Sequence, residues 1–376
     1  MPIRALHVYP GNLYGGVERM LATFAGLDAA ATGLEHRFAL CFTGRLAEEV
    51  RAAGAPLDVL GEARMSRPWT VALARRALRR VIAKARPDVV ICHSSWTQGL
   101  FGGVARTAGV PLVFWLHDAV TGRTWADRLA KRMAPDVAVC TSRFAGETLG
   151  RLWPGVRGEV VYPPVPPPDT GQVDRIAVRT ALRTAKEDAV ILQASRMEPW
   201  KGHRLLIQAL AAIRGVPGWT CWIAGGAQRT HEEAHLAEMY AIAQQLGIDR
   251  RIRFLGHRGD VPALMAAADV LCQPNLGPEP FGIAFVEGMH ARLPVVATAI
   301  GGAREIVDPS CGILVPPDDP TALGNALRTL IADGTLRARL GAAGPAHARA
   351  LCDPVRQGVR LREVVSAAVD SSRRGG

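Results

Sequence analysis

Two short segments decide the fold: Asp88-Val89-Val90-Ile91-Cys92 and Pro111-Leu112-Val113-Phe114-Trp115-Leu116. Each is apolar at every position after its first residue, whereas a strand with one solvated face is apolar at alternate positions. A strand that is apolar on both faces is typical of a parallel sheet with helices packed on both sides. The sequence therefore predicts a doubly wound α/β domain built around these two strands.

The same alternation of strand and helix extends through the first half of the chain. Strands are predicted at residues 3–9, 36–42, 56–60, 88–92, 111–116, 136–141 and 159–162, and helices at 17–30, 70–85 and 142–152. A break follows, because residues 162–169 hold five prolines in eight positions. Such a segment is typical of an extended, semi-rigid linker.

Beyond the linker the alternation starts again. Strands are predicted at residues 189–194, 219–224, 251–255, 269–273, 294–298 and 312–315, and helices at 203–213, 232–246, 261–267, 283–291, 321–332, 336–350 and 354–368. Residues 371–376 are expected to be a frayed tail. We therefore predict two Rossmann-like α/β domains, at residues 1–165 and 166–353, with a cleft between them as the expected binding site.

Composition is that of an ordinary globular protein, with 48% hydrophobic and 21% charged residues among 376. No apolar run reaches the roughly 18 residues that a membrane span needs, and the N-terminus is read as a first strand rather than a signal peptide. The seven cysteines include no Cys-x-x-Cys pair, so we expect buried, reduced thiols in a cytoplasmic protein.

Positive charge is concentrated in the first half. The net charge is +11, and residues 1–165 hold 21 basic against 13 acidic residues. Four of the basic residues recur at helical spacing within the helix predicted at 70–85: Arg75, Arg76, Arg79 and Arg80. Such a basic face can bind an anionic membrane surface or a phosphorylated substrate. The alternative is a helix face that is simply solvated. Nucleic acid is not expected, because no nucleic-acid-binding motif accompanies the charge.

A glycine-rich turn follows the first predicted strand: Pro10-Gly11-Asn12-Leu13-Tyr14-Gly15-Gly16-Val17-Glu18. Glycines at the start of a helix let backbone N–H groups approach a phosphate. The turn matches neither the dinucleotide fingerprint nor the nucleotide-triphosphate loop. Gly15 and Gly16 are therefore either phosphate contacts or simply a tight turn.

His117 directly follows the strand at 111–116, and His93 follows the preceding strand. Ligands of doubly wound sheets bind beyond the carboxyl ends of the strands. His117 is therefore a candidate site residue, although a buried structural histidine remains the alternative. His93 is a weaker candidate of the same kind.

Two cations flank the turn after the first strand of the second half, in Ser195-Arg196-Met197-Glu198-Pro199-Trp200-Lys201-Gly202. Arginine offers a forked contact and lysine a point charge, a combination that suits a diphosphate. Arg196 and Lys201 are candidate diphosphate contacts, with solvated loop charges as the alternative.

The most informative motif is Gly277-Pro278-Glu279-Pro280-Phe281-Gly282-Ile283-Ala284-Phe285-Val286-Glu287. It predicts a turn that becomes a helix, with N–H groups near Gly282 directed at an anion. Glu279 precedes the helix and Glu287 lies one turn inside it. Backbone N–H donors for phosphate and carboxylates for hydroxyl groups together suit a nucleotide sugar. For Glu287 alone, the alternative is an acidic residue that is stabilised by the helix dipole.

No metal site or cofactor is expected. No two acidic residues stand at positions i and i+2, so an Asp-x-Asp metal clamp is missing, and Gly-x-Ser-x-Gly does not occur. The charge of a diphosphate would then be met by Arg196, Lys201 and helix N-termini.

Taken in order, these motifs resemble a retaining glycosyltransferase of the GT-B fold, in the large family 4 group. The resemblance covers nearly the whole chain and also includes Thr141-Ser142-Arg143-Phe144, Phe254-Leu255-Gly256-His257 and Gly301-Gly302-Ala303-Arg304-Glu305. It implies that a last helix, over 354–370, packs back on the first domain. The linker departs from the Pro-Asn-Gly common in the family, since it reads Tyr162-Pro163-Pro164-Val165.

The resemblance also implies roles for single residues. Arg196 and Lys201 would hold the leaving diphosphate, and Glu279 would bind hydroxyls of the donor sugar together with the backbone at Phe281 and Gly282. The remaining contacts it implies are phosphate at Ile283 and Ala284, ribose at Glu287, the donor sugar at His117, the diphosphate at Gly16, and the base near Gly256 and His257.

The function so implied is transfer, with retained anomeric configuration, from a UDP- or GDP-sugar to a hydroxyl of a glycan or lipid-linked acceptor. Cell-envelope polysaccharide or glycolipid synthesis, in the cytoplasm or at the inner face of the membrane, is the expected setting. Two alternatives stay open: a sugar-nucleotide epimerase or phosphorylase on the same fold, and a non-catalytic nucleotide-sugar-binding partner protein.

Overall fold

The computed structural model describes residues 1–12, 14–168, 173–227 and 230–375. Leu13 of the glycine-rich turn, Asp169 at the end of the predicted linker and Gly376 of the predicted tail lie outside the described residues. The chain divides into two compact units, Met1–Pro166 with Cys352–Gly376 and Pro167–Leu351. The seven cysteines all lie in the described part, and each is a buried free thiol.

The first unit is a seven-stranded parallel sheet with the order β3-β2-β1-β4-β5-β6-β7. Its strands are β1 (Ile3–Tyr9), β2 (Leu34–Leu40), β3 (Leu57–Val59), β4 (Val89–Cys92), β5 (Leu112–Leu116), β6 (Val137–Cys140) and β7 (Gly158–Val160). Its first seven helices are α1 (Gly16–Ala25), α2 (Ala29–Thr32), α3 (Arg45–Ala52), α4 (Pro68–Ala85), α5 (Ser95–Thr107), α6 (Trp125–Ala130) and α7 (Arg143–Gly146).

Strands β4 and β5 are buried at every position, as their continuous apolar sequence predicts. One sheet face packs against α1 and α3, and the other packs against α4 and α5. The last helix, α16 (Pro354–Gly375), also belongs to this unit, because Leu361, Val365 and Val369 pack into the core beside α1. The doubly wound parallel architecture is therefore confirmed for the first unit.

The second unit has a six-stranded parallel sheet with the order β10-β9-β8-β11-β12-β13. Its strands are β8 (Ala189–Ala194), β9 (Trp219–Ala224), β10 (Ile252–Gly256), β11 (Val270–Gln273), β12 (Val295–Thr298) and β13 (Gly312–Val315). Its helices are α8 (Arg175–Ala181), α9 (His203–Ala212), α10 (Thr230–Gln245), α11 (Val261–Ala267), α12 (Ile283–His290), α13 (Ala303–Ile306), α14 (Pro320–Ala332) and α15 (Gly334–Cys352).

Two predicted helices and the predicted C-terminal tail differ from the structure. The helix predicted at 17–30 is two helices, because α1 ends at Ala25 with Gly26 as its C-cap, and the Asp28 carboxylate caps α2 by accepting the Ala30 N–H. The helix predicted at 142–152 is the short α7 followed by a 3₁₀ turn, Leu149–Arg151. The frayed tail predicted from residue 371 was wrong, since α16 continues to Gly375.

Candidate active site

The candidate site of the second unit lies at the carboxyl edge of its sheet. Strands β8 and β11 are neighbours there, and the chain leaves them toward opposite sides of the sheet, to β9 and to β12. Such a switch point is where ligands bind in open α/β sheets. The loop after β8 carries Arg196 and Lys201, and the loop after β11 carries Glu279.

Lys201 and Glu279 form an ion pair, with 3.0 Å between Nζ and Oε2. The same carboxylate oxygen accepts a hydrogen bond from Asn275 Nδ2 at 2.7 Å. Nζ of Lys201 also lies 4.0 Å from the centre of the Trp200 ring. The lysine side chain is 11% exposed and the glutamate side chain 25%. The structure therefore brings together a buried cation and a more accessible carboxylate, 78 residues apart in sequence.

The Lys201 loop depends on Gly202. Gly202 has φ of 75°, in the left-handed region, and a Cβ on it would overlap the carbonyl oxygen of Pro274. The Gln193 side-chain amide donates to the Lys201 carbonyl oxygen at 2.8 Å. The turn is thus fixed against the loop after β11, which explains why the lysine meets Glu279.

The Glu279 loop is held by two glycines after β12. The Gly302 N–H donates to the Glu279 carbonyl oxygen at 2.8 Å, and a Cβ on Gly301 would lie 2.5 Å from the same oxygen. Thr298 Oγ1 donates to the Asn275 carbonyl oxygen at 2.6 Å. Sequence reasoning did not name Asn275 as a site residue, because nothing in its own motif shows that its side chain reaches Glu279.

Helix α12 begins after Gly282, whose φ is 103° and whose Cβ position is filled by the ring of Phe285. Ile283 and Ala284 are its first two residues, so their N–H groups have no carbonyl partner one turn earlier within the helix. Glu287 lies one turn into the helix and is buried, as is Phe281 before it. This geometry fits an anion at the helix N-terminus, with Glu287 behind it.

The other predicted residues of this unit lie at the same sheet edge. Arg196 is exposed and pairs with Glu198 at 3.0 Å, a carboxylate that also accepts the Trp200 indole N–H at 2.7 Å. Gly256 ends β10 and accepts the Gly225 N–H at 2.9 Å, and His257 follows it. The two candidate diphosphate contacts therefore have different partners: Arg196 pairs with Glu198, and Lys201 pairs with Glu279.

The first unit carries Gly15, Gly16 and His117 at the carboxyl edge of its own sheet. Gly15 N–H donates to the Glu18 carboxylate at 2.8 Å, and the Tyr9 hydroxyl donates to the same carboxylate at 2.7 Å. Burial, reinforced by Glu18, raises the pKa of Tyr9. The Gly15 N–H is thus taken by Glu18, and Gly16 is the first residue of α1.

His117 directly follows β5, and its ring is hydrogen bonded to His93, with 3.0 Å between Nε2 and Nδ1. Burial lowers the pKa of His117 to about 3, so the ring is neutral at physiological pH. His93 in turn contacts His7, and His7 contacts His36. The sequence analysis missed these last two residues, although a histidine inside a strand predicted to be buried was a usable signal.

Two family models match the chain, one for each unit. Glycosyltransferase Family 4 matches residues 14–167, and Glycosyl transferases group 1 matches residues 174–347. The phosphatidyl-myo-inositol mannosyltransferase of Mycobacterium leprae is 30% identical over 341 residues, which cover 80% of this chain and 85% of that protein. The chain belongs to glycosyltransferase family 4.

Other relatives agree with this assignment. The D-inositol 3-phosphate glycosyltransferase of Salinispora tropica is 31% identical over 72% of this chain, and the match spans 63% of that protein's length. The crystal structure of Anabaena HepE in complex with UDP superposes with a TM-score of 0.82 at 26% identity, covering 98% of this chain and all of the other. The family 4 chain is therefore a glycosyltransferase with the GT-B fold, as its motifs predicted.

Proposed function

We propose that this glycosyltransferase takes a sugar from a nucleotide-diphosphate sugar and transfers it, with retained configuration, to a hydroxyl of a glycan or lipid-linked acceptor. The observation that carries the proposal is the Lys201–Glu279 pair at the switch point between β8 and β11. The pair consists of a cation, which suits a phosphate, and a carboxylate, which suits hydroxyl groups, 3.0 Å apart.

A uracil nucleotide is the donor class that we favour. HepE, which is similar to this chain over nearly its whole length, has been crystallised with UDP and with UDP-glucose. Among UDP- and GDP-sugars, UDP-glucose is therefore the first donor to test.

In the proposed mechanism the protein binds and orients the donor and stabilises the leaving group. Lys201 and the N-terminus of α12 meet the diphosphate charge, with Arg196 as the outer cation. Glu279 accepts hydrogen bonds from sugar hydroxyls, and Glu287 accepts those of the ribose. The leaving phosphate takes the proton of the acceptor hydroxyl as the new glycosidic bond forms on the same face. We propose that no divalent metal is needed.

A screen of donors by thermal shift tests this proposal. UDP-, GDP- and ADP-sugars are added to the whole protein, with and without EDTA. A ligand that binds only the folded state at 100 times its dissociation constant stabilises it by about 2.7 kcal/mol. We expect stabilisation by UDP-glucose that EDTA leaves unchanged. Stabilisation that EDTA abolishes would contradict metal independence, and no response to any nucleotide sugar would contradict the proposed function.

Matched lysine variants sharpen the same screen. Lys201→Ala removes the buried cation of the site, whereas Lys186→Ala removes an exposed lysine ahead of β8 in the same unit. We expect Lys201→Ala to lower donor affinity at least tenfold and Lys186→Ala to leave it unchanged. Equal effects of the two substitutions would remove Lys201 from the proposed site.

The acceptor side is proposed to approach an anionic membrane. On α4 the residues Trp69 and Leu73 are each 63% exposed, and the exposed Arg76 and Arg80 continue the same helical stripe. Arg75 is turned away from this stripe, since its Nε donates to the Leu100 carbonyl oxygen. In the part of the chain that the structure describes, every helix is too short or too polar to span a membrane.

Vesicle binding tests this surface. Each arginine near an anionic bilayer contributes about 1 kcal/mol, so replacing both Arg76 and Arg80 with serine is expected to weaken binding to anionic vesicles more than tenfold. The control replaces two exposed arginines of the second unit, Arg328 and Arg339, in the same way. Equal weakening by both pairs, or equal binding to neutral vesicles, would contradict a specific docking face.

A further inference from the structure

Four histidines form a diagonal across one face of the first sheet: His36 on β2, His7 on β1, His93 after β4 and His117 after β5. The parallel registers place each histidine two residues nearer the carboxyl edge than the histidine on the preceding strand. The diagonal thus runs from inside the sheet to the edge where the ligand is expected. Four of the ten histidines of the chain lie on it.

The four rings are hydrogen bonded in one direction. Nδ1 of His36 lies 2.9 Å from Nε2 of His7. Nδ1 of His7 lies 2.8 Å from Nε2 of His93, and Nδ1 of His93 lies 3.0 Å from Nε2 of His117. Every link therefore joins Nδ1 of one ring to Nε2 of the next, and each needs a single proton between its two nitrogens.

All four rings are neutral near pH 7. Burial lowers the pKa of His36 to about 4 and that of His117 to about 3, and it holds the pKa of His7 and of His93 well below the usual value. The rings are surrounded by the aromatic side chains Phe24, Phe38 and Trp115. The rings of Tyr9 and His93 are perpendicular to each other, the Tyr9 hydroxyl donates to Glu18, and Asp118 follows His117 in sequence.

Neutrality leaves two proton arrangements. A neutral imidazole carries one N–H, so three intact links require either that all four rings are protonated on Nδ1 or that all four are protonated on Nε2. A mixture of the two tautomers puts two protons, or none, into one of the links. The tautomer of His117 is thereby tied to that of His36.

The two ends of the diagonal differ. Within the described residues, the buried Nε2 of His36 has no hydrogen-bond partner. A proton there would be a buried donor without an acceptor, which is rarer in proteins than an unpaired acceptor. Protonation on Nδ1 instead leaves the last N–H on His117, at the sheet edge, where an anionic ligand favours it. The arrangement with four Nδ1–H groups is therefore the favoured one.

We propose that His93, His7 and His36 are positioning residues, which act through this chain of hydrogen bonds to hold Nδ1 of His117 as a donor toward an oxygen of the bound nucleotide sugar. The inference rests on the proposed function for its ligand. In this arrangement Nε2 of His117 accepts from His93 and Nδ1 already carries a proton. His117 therefore orients the donor and does not act as the base for the acceptor hydroxyl.

Nitrogen NMR of the whole protein tests the chain without any ligand. In protein labelled with ¹⁵N-histidine, long-range ¹H–¹⁵N spectra at pH 7 distinguish protonated from unprotonated ring nitrogens, and single substitutions assign the rings. We expect protonated Nδ1 and unprotonated Nε2 on all four, with coupling between nitrogens across the three links. A protonated Nε2 on His117, or a His117 that exchanges between both tautomers, would overturn the proposal.

A pair of substitutions at His93 tests the consequence for the donor. His93→Asn keeps an N–H near the position of Nδ1, and His93→Leu has none. We expect His93→Leu to leave His117 in a mixture of tautomers and to lower donor affinity about tenfold, while His93→Asn keeps the tautomer and stays within about threefold of the wild type. Equal losses in both variants, or an unchanged His117 tautomer in His93→Leu, contradict the inference.

The two experiments separate the chain from the proposed function. If the wild type binds no nucleotide sugar, the proposed function fails, and the hydrogen-bonded row of histidines is then tested by the tautomers alone. If it binds one but His117 is protonated on Nε2, the proposed function stands and the positioning role fails.

Discussion

At the scale of single residues, the site depends on a carboxylate shared by two donors. Glu279 Oε2 accepts from both Lys201 and Asn275, so the carboxylate is held in place from two sides. A hydrogen bond to a charged group contributes roughly 1.5–3 kcal/mol. Asn275, which is buried beside the loop that it holds, therefore orients Glu279 without being charged itself.

Asn275→Ala is expected to lower donor affinity roughly tenfold, because Glu279 loses one of its two fixed partners. Titration calorimetry with UDP-glucose measures the change. The control is Asn325→Ala, which removes an exposed asparagine on α14 of the same unit. A wild-type affinity in Asn275→Ala would show that Lys201 alone is enough to hold the carboxylate.

At the scale of elements, glycine turns bring separate loops into contact. Gly202 has a left-handed backbone and no room for a Cβ beside Pro274, whereas Gly218 has nearly the same φ, 70°, with open space around it. The two positions share a left-handed φ, and a Cβ would meet a close neighbour only at Gly202. They therefore separate the cost of the backbone conformation from the cost of the close approach.

Chemical denaturation of the two alanine variants measures that difference. Gly218→Ala is expected to reduce the free energy of unfolding by about 1 kcal/mol, the cost of a left-handed alanine. Gly202→Ala is expected to cost several kcal/mol more, or to displace the loop and lower donor affinity. Equal destabilisation by the two substitutions would show that the loop after β11 moves aside freely.

The last helix belongs to the same scale. Leu361 of α16 is fully buried in the first unit, whereas Val355 on the same helix is 43% exposed. Leu361→Ala is expected to lower the free energy of unfolding by about 2–5 kcal/mol, and Val355→Ala by well under 1 kcal/mol. If Leu361→Ala had no effect in thermal unfolding, α16 would not be part of this core.

At the scale of the whole molecule, the buried histidines make stability depend on pH. The pKa values of His36 and His117 are lowered in the folded protein to about 4 and about 3, so the unfolded chain binds protons first as the pH falls. Their stabilising contribution is complete above about pH 6.5 and is lost below it. At pH 5 each of these two histidines lowers the free energy of unfolding by about 2 kcal/mol relative to pH 7.

Unfolding free energies at pH 7 and pH 5 measure this loss. The His36→Phe variant, which removes one of these groups, is expected to lose about 2 kcal/mol less than the wild type between the two pH values. An identical pH dependence in variant and wild type would mean that His36 is protonated in the folded protein.

Local sequence patterns predicted the fold well, for a physical reason. A strand that is buried on both faces is apolar at every position, so β4 and β5 could be predicted from their own residues alone. The Lys201 and Glu279 loops could be named because glycines and charges at strand ends are also local signals. The contact of Asn275 with Glu279, and the diagonal from His36 to His117, depend on loop packing and on the register between strands, which no single motif contains.

The central claim is retaining transfer from a nucleotide sugar that is held by Lys201. The most direct measurement is the hydrolysis of UDP-glucose by the enzyme, with water as the acceptor. Proton NMR shows which anomer of the sugar is released first, before the two anomers equilibrate. We expect the α-anomer first, with a release rate at least about 100-fold lower in Lys201→Ala. Release of the β-anomer first, or a rate that Lys201→Ala leaves unchanged, would contradict the account.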